Sequence, residues 1–261
     1  MSHSKINFSK SIVFWTLFKK EILRFLSVGS QTLLAPLITA SLYLLIFGVS
    51  LGKRIQLDTS YSYLDFVIPG LILMGCINNS FANSSSSLFL SKYIGNLVEL
   101  LSVPIGHMQF YFAYVFAAMI RGIFVASLVF IVSRFFSDFI WAFPLKGALM
   151  ILLTSFIFAS LGLLAALIST SFDTLSMFTN FLILPLIYLG GLFYPISTLP
   201  EIWQNLSKLN PIYYLIEGFR YSYIGSGDIS FTLCVMVTLG VAIFCYSLCA
   251  LTFSRGYKLL S

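Results

Sequence analysis

The chain has 261 residues, 59% of them hydrophobic and only 9% charged, and its net charge is +6. Soluble globular chains carry about 25% charged residues, so this one cannot cover a surface in water and its solvent is mostly lipid. The positive excess suits cytoplasmic loops and anionic headgroups, and no Lys/Arg cluster is dense enough for a nucleic-acid patch.

In chain order, residues from about Phe14 to Ser27 read as an amphipathic helix. At 100° per residue, Phe14, Trp15, Phe18, Ile22, Phe25 and Leu26 share one face, and Thr16, Lys20, Glu21, Arg24 and Ser27 share the other. Such a helix lies in the interface plane with its bases toward headgroups; the alternative is an amphipathic start to the first span. Lys19, Lys20, Glu21 and Arg24 also interrupt any signal-peptide core. Residues 1–28 therefore read as a cytoplasmic N-terminus with an interfacial helix, and 29–261 as a transmembrane domain.

Charge-free stretches of about 20 residues are long enough to cross the hydrocarbon core. Six are placed near 29–51, 64–90, 109–133, 147–169, 175–194 and 230–252. The N-terminal cluster of Lys5, Lys10, Lys19, Lys20 and Arg24 is the strongest orientation signal, so both termini are expected in the cytoplasm. The four cysteines, Cys76, Cys234, Cys245 and Cys249, all fall in apolar runs and read as small packing residues.

Between the last two spans, residues of about 195–229 are too polar for a span and too aromatic for a solvated loop. Pro195 breaks the chain, Ser197-Thr198-Leu199-Pro200-Glu201 reads as a helix start with Ser or Thr as cap and Pro in the first turn, and Asn210-Pro211 starts a second short helix reaching about Tyr223. Two short broken helices suit a re-entrant hairpin in the outer leaflet, buried against protein. An amphipathic loop lying flat on the membrane fits the composition equally.

The run YLGGLFYPISTLPEIWQNLSKLNPIYYLIEGFRY, Tyr188 to Tyr221, resembles the signature of ABC exporter permeases of the type-2, drug and polysaccharide export, class. YLDFVIPGLILM, NLVELLSVPI, the Arg121-Gly122 pair and FGVSLGKRI extend the likeness over nearly the whole chain, in order. Within the class, the chain is similar to small bacterial inner-membrane permeases of unassigned substrate. The resemblance implies an all-α membrane protein with six transmembrane helices, an N-terminal interfacial helix and a re-entrant outer hairpin. It also implies a homodimer served by a separate ABC ATPase subunit in two copies. The sequence holds no G-x-x-x-x-G-K-[ST] phosphate loop, so this chain is expected to be no enzyme and to carry no cofactor. ATP and Mg would sit on the partner.

In the loop of about 92–107, Leu97, Leu100 and Leu101 share one helical face, Asn96 and Glu99 another, and Pro104 ends the run. A short amphipathic helix there suits docking in a partner's groove; the plain alternative is a turn between two spans. The resemblance places the ATPase-coupling helix here, on Asn96, Glu99, Leu100, Leu101 and Pro104.

Arg121 lies mid-span, where a charge costs roughly 2.5–3.5 kcal/mol on insertion scales, so it faces protein or water. Asn78, Asn79 and Asn83 are its expected partners, and no intramembrane acid is expected beside it. Whether it fixes packing or lines a pathway stays open. In the outer hairpin, Pro195, Pro200, Trp203, Asn210 and Pro211 shape the chain, while Glu217 and Arg220, three apart, either pair with each other or gate the outer mouth.

The function expected is outward movement of an amphipathic or glycan-lipid substrate by an ATP-driven exporter in the bacterial inner membrane. One alternative is an ATP-independent secondary transporter, but Asp65, Asp138, Asp173 and Glu201 map near span ends rather than the midplane. Another is an intramembrane enzyme, but His3 and His107 lie at or beyond the membrane edge.

Overall fold

The structure is a computed structural model that describes residues 10–27, 29–51, 61–97 and 106–255. Every regular element among them is helical. Helix α1 spans Lys10–Ser27 and α2 spans Gly29–Tyr43, continuing as a π-helical stretch, Leu44–Leu51. Next come α3 (Tyr63–Tyr93), α4 (His107–Ser133) and α5 (Pro144–Ile168). Helix α6 covers Phe172–Leu189 with a π-helical middle, Phe178–Ile183. A 3₁₀ turn (Ile196–Thr198), α7 (Glu201–Leu209), α8 (Pro211–Ile224) and α9 (Phe231–Ser254) complete the chain.

Five of these helices, α3, α4, α5, α6 and α9, are long and apolar enough to cross a membrane, and a shorter apolar stretch, Leu34–Gly48, runs from α2 into its π-helical continuation. Pro36 inside α2 and Pro69 inside α3 are tolerated because neighbouring helices compensate for the lost backbone bond.

Helix α3 is the centre of the subunit. Its 31 residues make it about 46 Å long. A capping box starts it: the Asp65 amide donates to Ser62 Oγ at 3.2 Å and the Ser62 amide donates to Asp65 Oδ2 at 3.1 Å. Of its apolar window, 78% is buried, against 17% for α6 and 28% for α9, so α3 is enclosed while α6 and α9 form the periphery.

Close approach around α3 depends on small residues, because lipid offers no hydrophobic drive between helices and contact must come from packing. Gly122 of α4 sits against Ser80, and Gly162 of α5 against Ser84. A Cβ at Gly122 would clash with Ser80 Oγ and lie 3.0 Å from the Cys76 carbonyl oxygen; one at Gly162 would lie 2.5 Å from the Phe81 carbonyl oxygen. Gly122→Val should therefore push α4 off α3 and destabilise the subunit by about 1–3 kcal/mol, seen as a lower unfolding temperature in detergent. Ser80→Ala in the same chain should restore only part of it, because the Cys76 carbonyl remains in the way.

Between α6 and α9, the two short helices fall at the expected places, α7 ending at Leu209 and α8 starting at Pro211. The start of α7 differs from the expected Ser or Thr cap. Ser197 and Thr198 are taken up by the 3₁₀ turn, and Pro200 holds the cap position with no side-chain bond. The two helices have different surroundings. In α7, Ile202, Trp203, Leu206 and Leu209 are all exposed. In α8, ten of fourteen residues are buried, against α3, α5 and α9.

Candidate functional site

Two buried groups of charged side chains stand out in this apolar fold, and each joins segments far apart in the chain.

The first lies where α1 meets α3 and α4. In α1, Leu17, Glu21 and Phe25 are buried, four residues apart along one stripe. Glu21, 1% exposed, accepts a short hydrogen bond from Ser87 Oγ and pairs with Arg24 Nε at 3.2 Å. Arg24 also donates to the Asn83 carbonyl oxygen and to Asn83 Oδ1, both at 2.9 Å. Arg121 of α4 reaches the same Asn83 Oδ1 at 3.4 Å, and its Nε has no partner. One amide oxygen thus takes two guanidinium groups, and Glu21 is the counter-charge.

This corrects the sequence reading of α1. Lys19 and Lys20 are exposed as expected, but Glu21 and Arg24 turn into the protein rather than toward headgroups. The physical reason is the polar side of α3: Asn83 and Ser87 lie one turn apart and offer an acceptor and a donor that an acid-base pair satisfies. Glu21 joins the cluster through Arg24 and Ser87, and no ion pair to Arg121 occurs among the described residues. Of the three expected amides, Asn83 contacts Arg121. Asn79 instead donates to the Gly75 carbonyl oxygen at 3.0 Å, and Asn78 Oδ1 is buried without a partner. Asn78 and Asn79 line a cavity of about 220 Å³ between α2, α3 and α4, with Thr39, Tyr43 and Met74.

The second group is in α8. Glu217 and Arg220 are 4% and 2% exposed and form a short ion pair. Arg220 NH2 donates to the Gly191 carbonyl oxygen at 2.6 Å, and Nε donates to the Phe66 carbonyl oxygen at 3.3 Å. The guanidinium lies 3.8 Å from the Phe66 ring centre. Gly191 has φ +77°, a backbone conformation that a side chain would strain. Arg220 therefore ties α8 to the start of α3 and to the turn after α6. Asn210 adds a second tie, its Nδ2 donating to the Leu186 carbonyl oxygen at 2.6 Å while its Oδ1 caps α8 through the Ile212 amide. Pro195 and Pro211 are half-buried; Pro200 and Trp203 are exposed. Neighbouring Lys146 is held over three rings, 4.3 Å from Phe143, 4.9 Å from Tyr221 and 5.1 Å from Phe231.

In the loop after α3, Asn96 is exposed and Leu97 buried, following Gly95 at φ +85°. Glu99, Leu100, Leu101 and Pro104 lie outside the described residues. The four cysteines are free and buried, and no group of three metal-ligating side chains occurs among the described residues.

Residues 12–224 match the ABC-2 type transporter family, a range running from α1 to the end of α8. The chain belongs to the ABC-2 type transporter family. It is similar to the inner membrane transport permease YadH of Escherichia coli (strain K12), 41% identical over 258 residues that cover 95% of this chain and 99% of that one. It is 25% identical over 212 residues to nodulation protein J of Azorhizobium caulinodans, covering 80% and 83% of the two chains. With the putative transport permease ycf38 of Cyanophora paradoxa it shares 29% identity over 210 residues, 74% and 68% of the chains. The ABC-2 match takes in both charged groups, and with the apolar helices it makes the chain a multi-pass transmembrane transport permease. Permeases of the ABC-2 family typically pair with an ATPase subunit, which fits a transport subunit rather than an enzyme.

The sequence alone did not single out Glu21 and Arg24 as part of this site. The available signal was an acid and a base three apart on a helix otherwise read as amphipathic, with no sign of which way the pair would face.

Proposed function

We propose that this ABC-2 permease is the membrane subunit of an ATP-driven exporter that moves an amphipathic or glycan-lipid substrate outward across the bacterial inner membrane. It works as a homodimer of six-span subunits, with both termini cytoplasmic and the α7–α8 hairpin re-entering the outer leaflet. Two copies of a separate ATPase carry ATP and Mg. They dock on the loop of about 92–107, through Asn96, Glu99, Leu100, Leu101 and Pro104. The 41% identity to an inner membrane transport permease over nearly the whole chain carries this reading.

The buried cluster supports a route for coupling. The docking loop joins α3 to α4, and these two helices meet α1 at Asn83, Ser87, Glu21, Arg24 and Arg121. A push on the loop shifts α3 against α4. Helix α1 packs along α4 and is bonded to α3 through the contacts from Arg24 to Asn83 and from Ser87 to Glu21, so it bridges the two helices and a shift of either is felt by α1. No bond is made or broken in the substrate; the chain supplies a path and a change of shape.

The test is reconstitution in proteoliposomes with the ATPase encoded by the neighbouring reading frame. At least one of a glycolipid, an amphipathic drug and a phospholipid should move away from the ATP side, with dependence on ATP and Mg. Movement driven by a proton gradient without ATP would replace the exporter by a secondary transporter. In the same assay, Arg121→Leu should insert and dimerise normally, since one 3.4 Å bond is lost, but transport should fall roughly tenfold, because a buried charge at that depth is kept for its polar contacts. Arg121→Lys should retain part of the rate, having the charge without the planar fork. Full transport by Arg121→Leu would make the residue a packing feature.

A further inference from the structure

We propose that a crevice between α4 and α5 seats one acyl chain of a phospholipid, with the ester carbonyl on the Trp141 indole N–H and the phosphate on Arg134. This site does not depend on the cargo or its direction of movement. It needs only that α4 and α5 cross the membrane.

The crevice has a volume of about 380 Å³. Ile72 of α3 and Ala126 of α4, both buried, form its floor, and Ser127, Phe130, Pro144 and Ala148 form its walls. Ser127, Pro144 and Ala148 are exposed, so the crevice opens to the outside of the chain. Ala126, Ser127 and Ala148 are too small to fill the space. The Ser127 hydroxyl is closed on the Ile123 carbonyl oxygen at 2.9 Å, so it offers a ligand little polarity. The flanking surface is apolar as well, with Ile120 and Phe124 of α4 and Leu149 and Leu152 of α5 exposed. On a membrane-crossing surface, what enters such a gap is hydrocarbon.

Two polar groups at one end of the crevice select the owner of that chain. Trp141 lines the crevice, and its Nε1 is buried without a hydrogen-bond partner. Phe130 and Phe219 hold its ring, with ring centres 5.2 and 5.5 Å away. An indole is a donor only, so the missing partner is an acceptor, and leaving it unmade is costly. Arg134 follows Phe130 by one turn on the same face of α4, at the end of the helix, and is exposed. One of its nitrogens donates to the Phe139 carbonyl oxygen, and the rest of the fork suits a phosphate. Chain, carbonyl and phosphate follow one another in a phospholipid in the order of crevice, Trp141 and Arg134. The same loop is bonded to α8: the amides of Ala142 and Phe143 donate to the Tyr223 and Ser222 carbonyl oxygens at 3.0 and 2.8 Å. A seated lipid therefore braces the loop that holds α8.

The test uses the full chain in detergent, stripped of lipid and titrated with phosphatidylglycerol or with diacylglycerol of the same chains, bound lipid being counted by native mass spectrometry. Wild type should bind the phospholipid about 5-fold more tightly than the diacylglycerol, and Arg134→Gln should remove that difference. Trp141→Phe should weaken both about 5-fold. Ala148→Phe and Ser127→Phe, which fill the crevice from exposed positions, should abolish saturable binding, and Ile243→Phe on the exposed face of α9 should not. Unchanged binding in a folded Ala148→Phe or Ser127→Phe overturns the seat. Equal affinity of wild type for the two lipids takes the phosphate off Arg134 and overturns it as well. Should neither Phe variant fold, the two-lipid comparison in Arg134→Gln decides. A disulfide-linked dimer of Ala148→Cys in native membranes, with the four native cysteines replaced by Ala, would give the crevice to a second copy of the chain instead.

Discussion

Arg220→Met should lower the unfolding temperature in detergent by about 10 °C and sharply reduce the folded yield. The substitution removes the partner of Glu217 while leaving its carboxylate 4% exposed, and breaking a buried pair from one side costs roughly 3–5 kcal/mol. It also strips donors from the carbonyls of Phe66 and Gly191, which hold the start of α3 and the turn after α6 to α8. Arg220→Lys should fare little better, since a single ammonium cannot reach Glu217, Phe66 and Gly191 at once. Combining Glu217→Gln with Arg220→Met should recover part of the loss, because no orphan charge remains. An unchanged unfolding temperature for Arg220→Met would show that the pair does not hold the hairpin.

Glu21→Gln should loosen α1 without unfolding the spans. Gln keeps the size of Glu and can still accept from Ser87, but Arg24 and Arg121 are then two like charges around Asn83 Oδ1 with no acid beside them. Arg24 is about a quarter exposed, which discounts the cost of the broken pair to about 1–3 kcal/mol. Backbone amides of Lys10–Ser27 should therefore exchange with deuterium about 5- to 150-fold faster, while those of α5 and α9 stay as they are. Transport in proteoliposomes should fall with it, if α1 carries motion to α3. The double replacement of Glu21 and Arg24 by Leu should exchange more slowly than Glu21→Gln, since Arg121 is then the one guanidinium left on Asn83 Oδ1 and the like-charge repulsion is gone. Wild-type exchange in α1 of Glu21→Gln would sink the idea that this acid anchors the helix.

Much of the architecture was written in local pattern. Scarcity of charge named the solvent, and uninterrupted apolar runs gave the long helices, because only a helix satisfies its own backbone in lipid. Asn210-Pro211 marked the break between α7 and α8, since proline cannot continue a helix through its own nitrogen but starts one readily. Asn210 then does both jobs that its position allows, capping α8 and bonding to Leu186. The pairing of Glu217 with Arg220 was legible for the same reason, being set by a spacing of three on one helix.

What the sequence could not fix is which way a helix faces and what lies opposite. The apolar side of α1, read by periodicity, centres on Phe18 and Ile22, yet the buried stripe is Leu17, Glu21 and Phe25. That rotation is small in angle and large in consequence, because it takes an acid out of the headgroup region and into the subunit. Periodicity assigns charged residues to the wet side, which holds when the facing surface is apolar. Here the facing surface is Asn83 and Ser87, 59 and 66 residues away from their partners. Likewise nothing local ties Arg220 to Phe66 or Gly191, which only the packing of α8 against α3 brings within reach. The sequence by itself determined the solvent, the helices and their breaks, since each follows from neighbours in the chain. The tertiary structure decided the partners of the buried charges, because a charge taken out of water is held only by groups that folding brings from elsewhere.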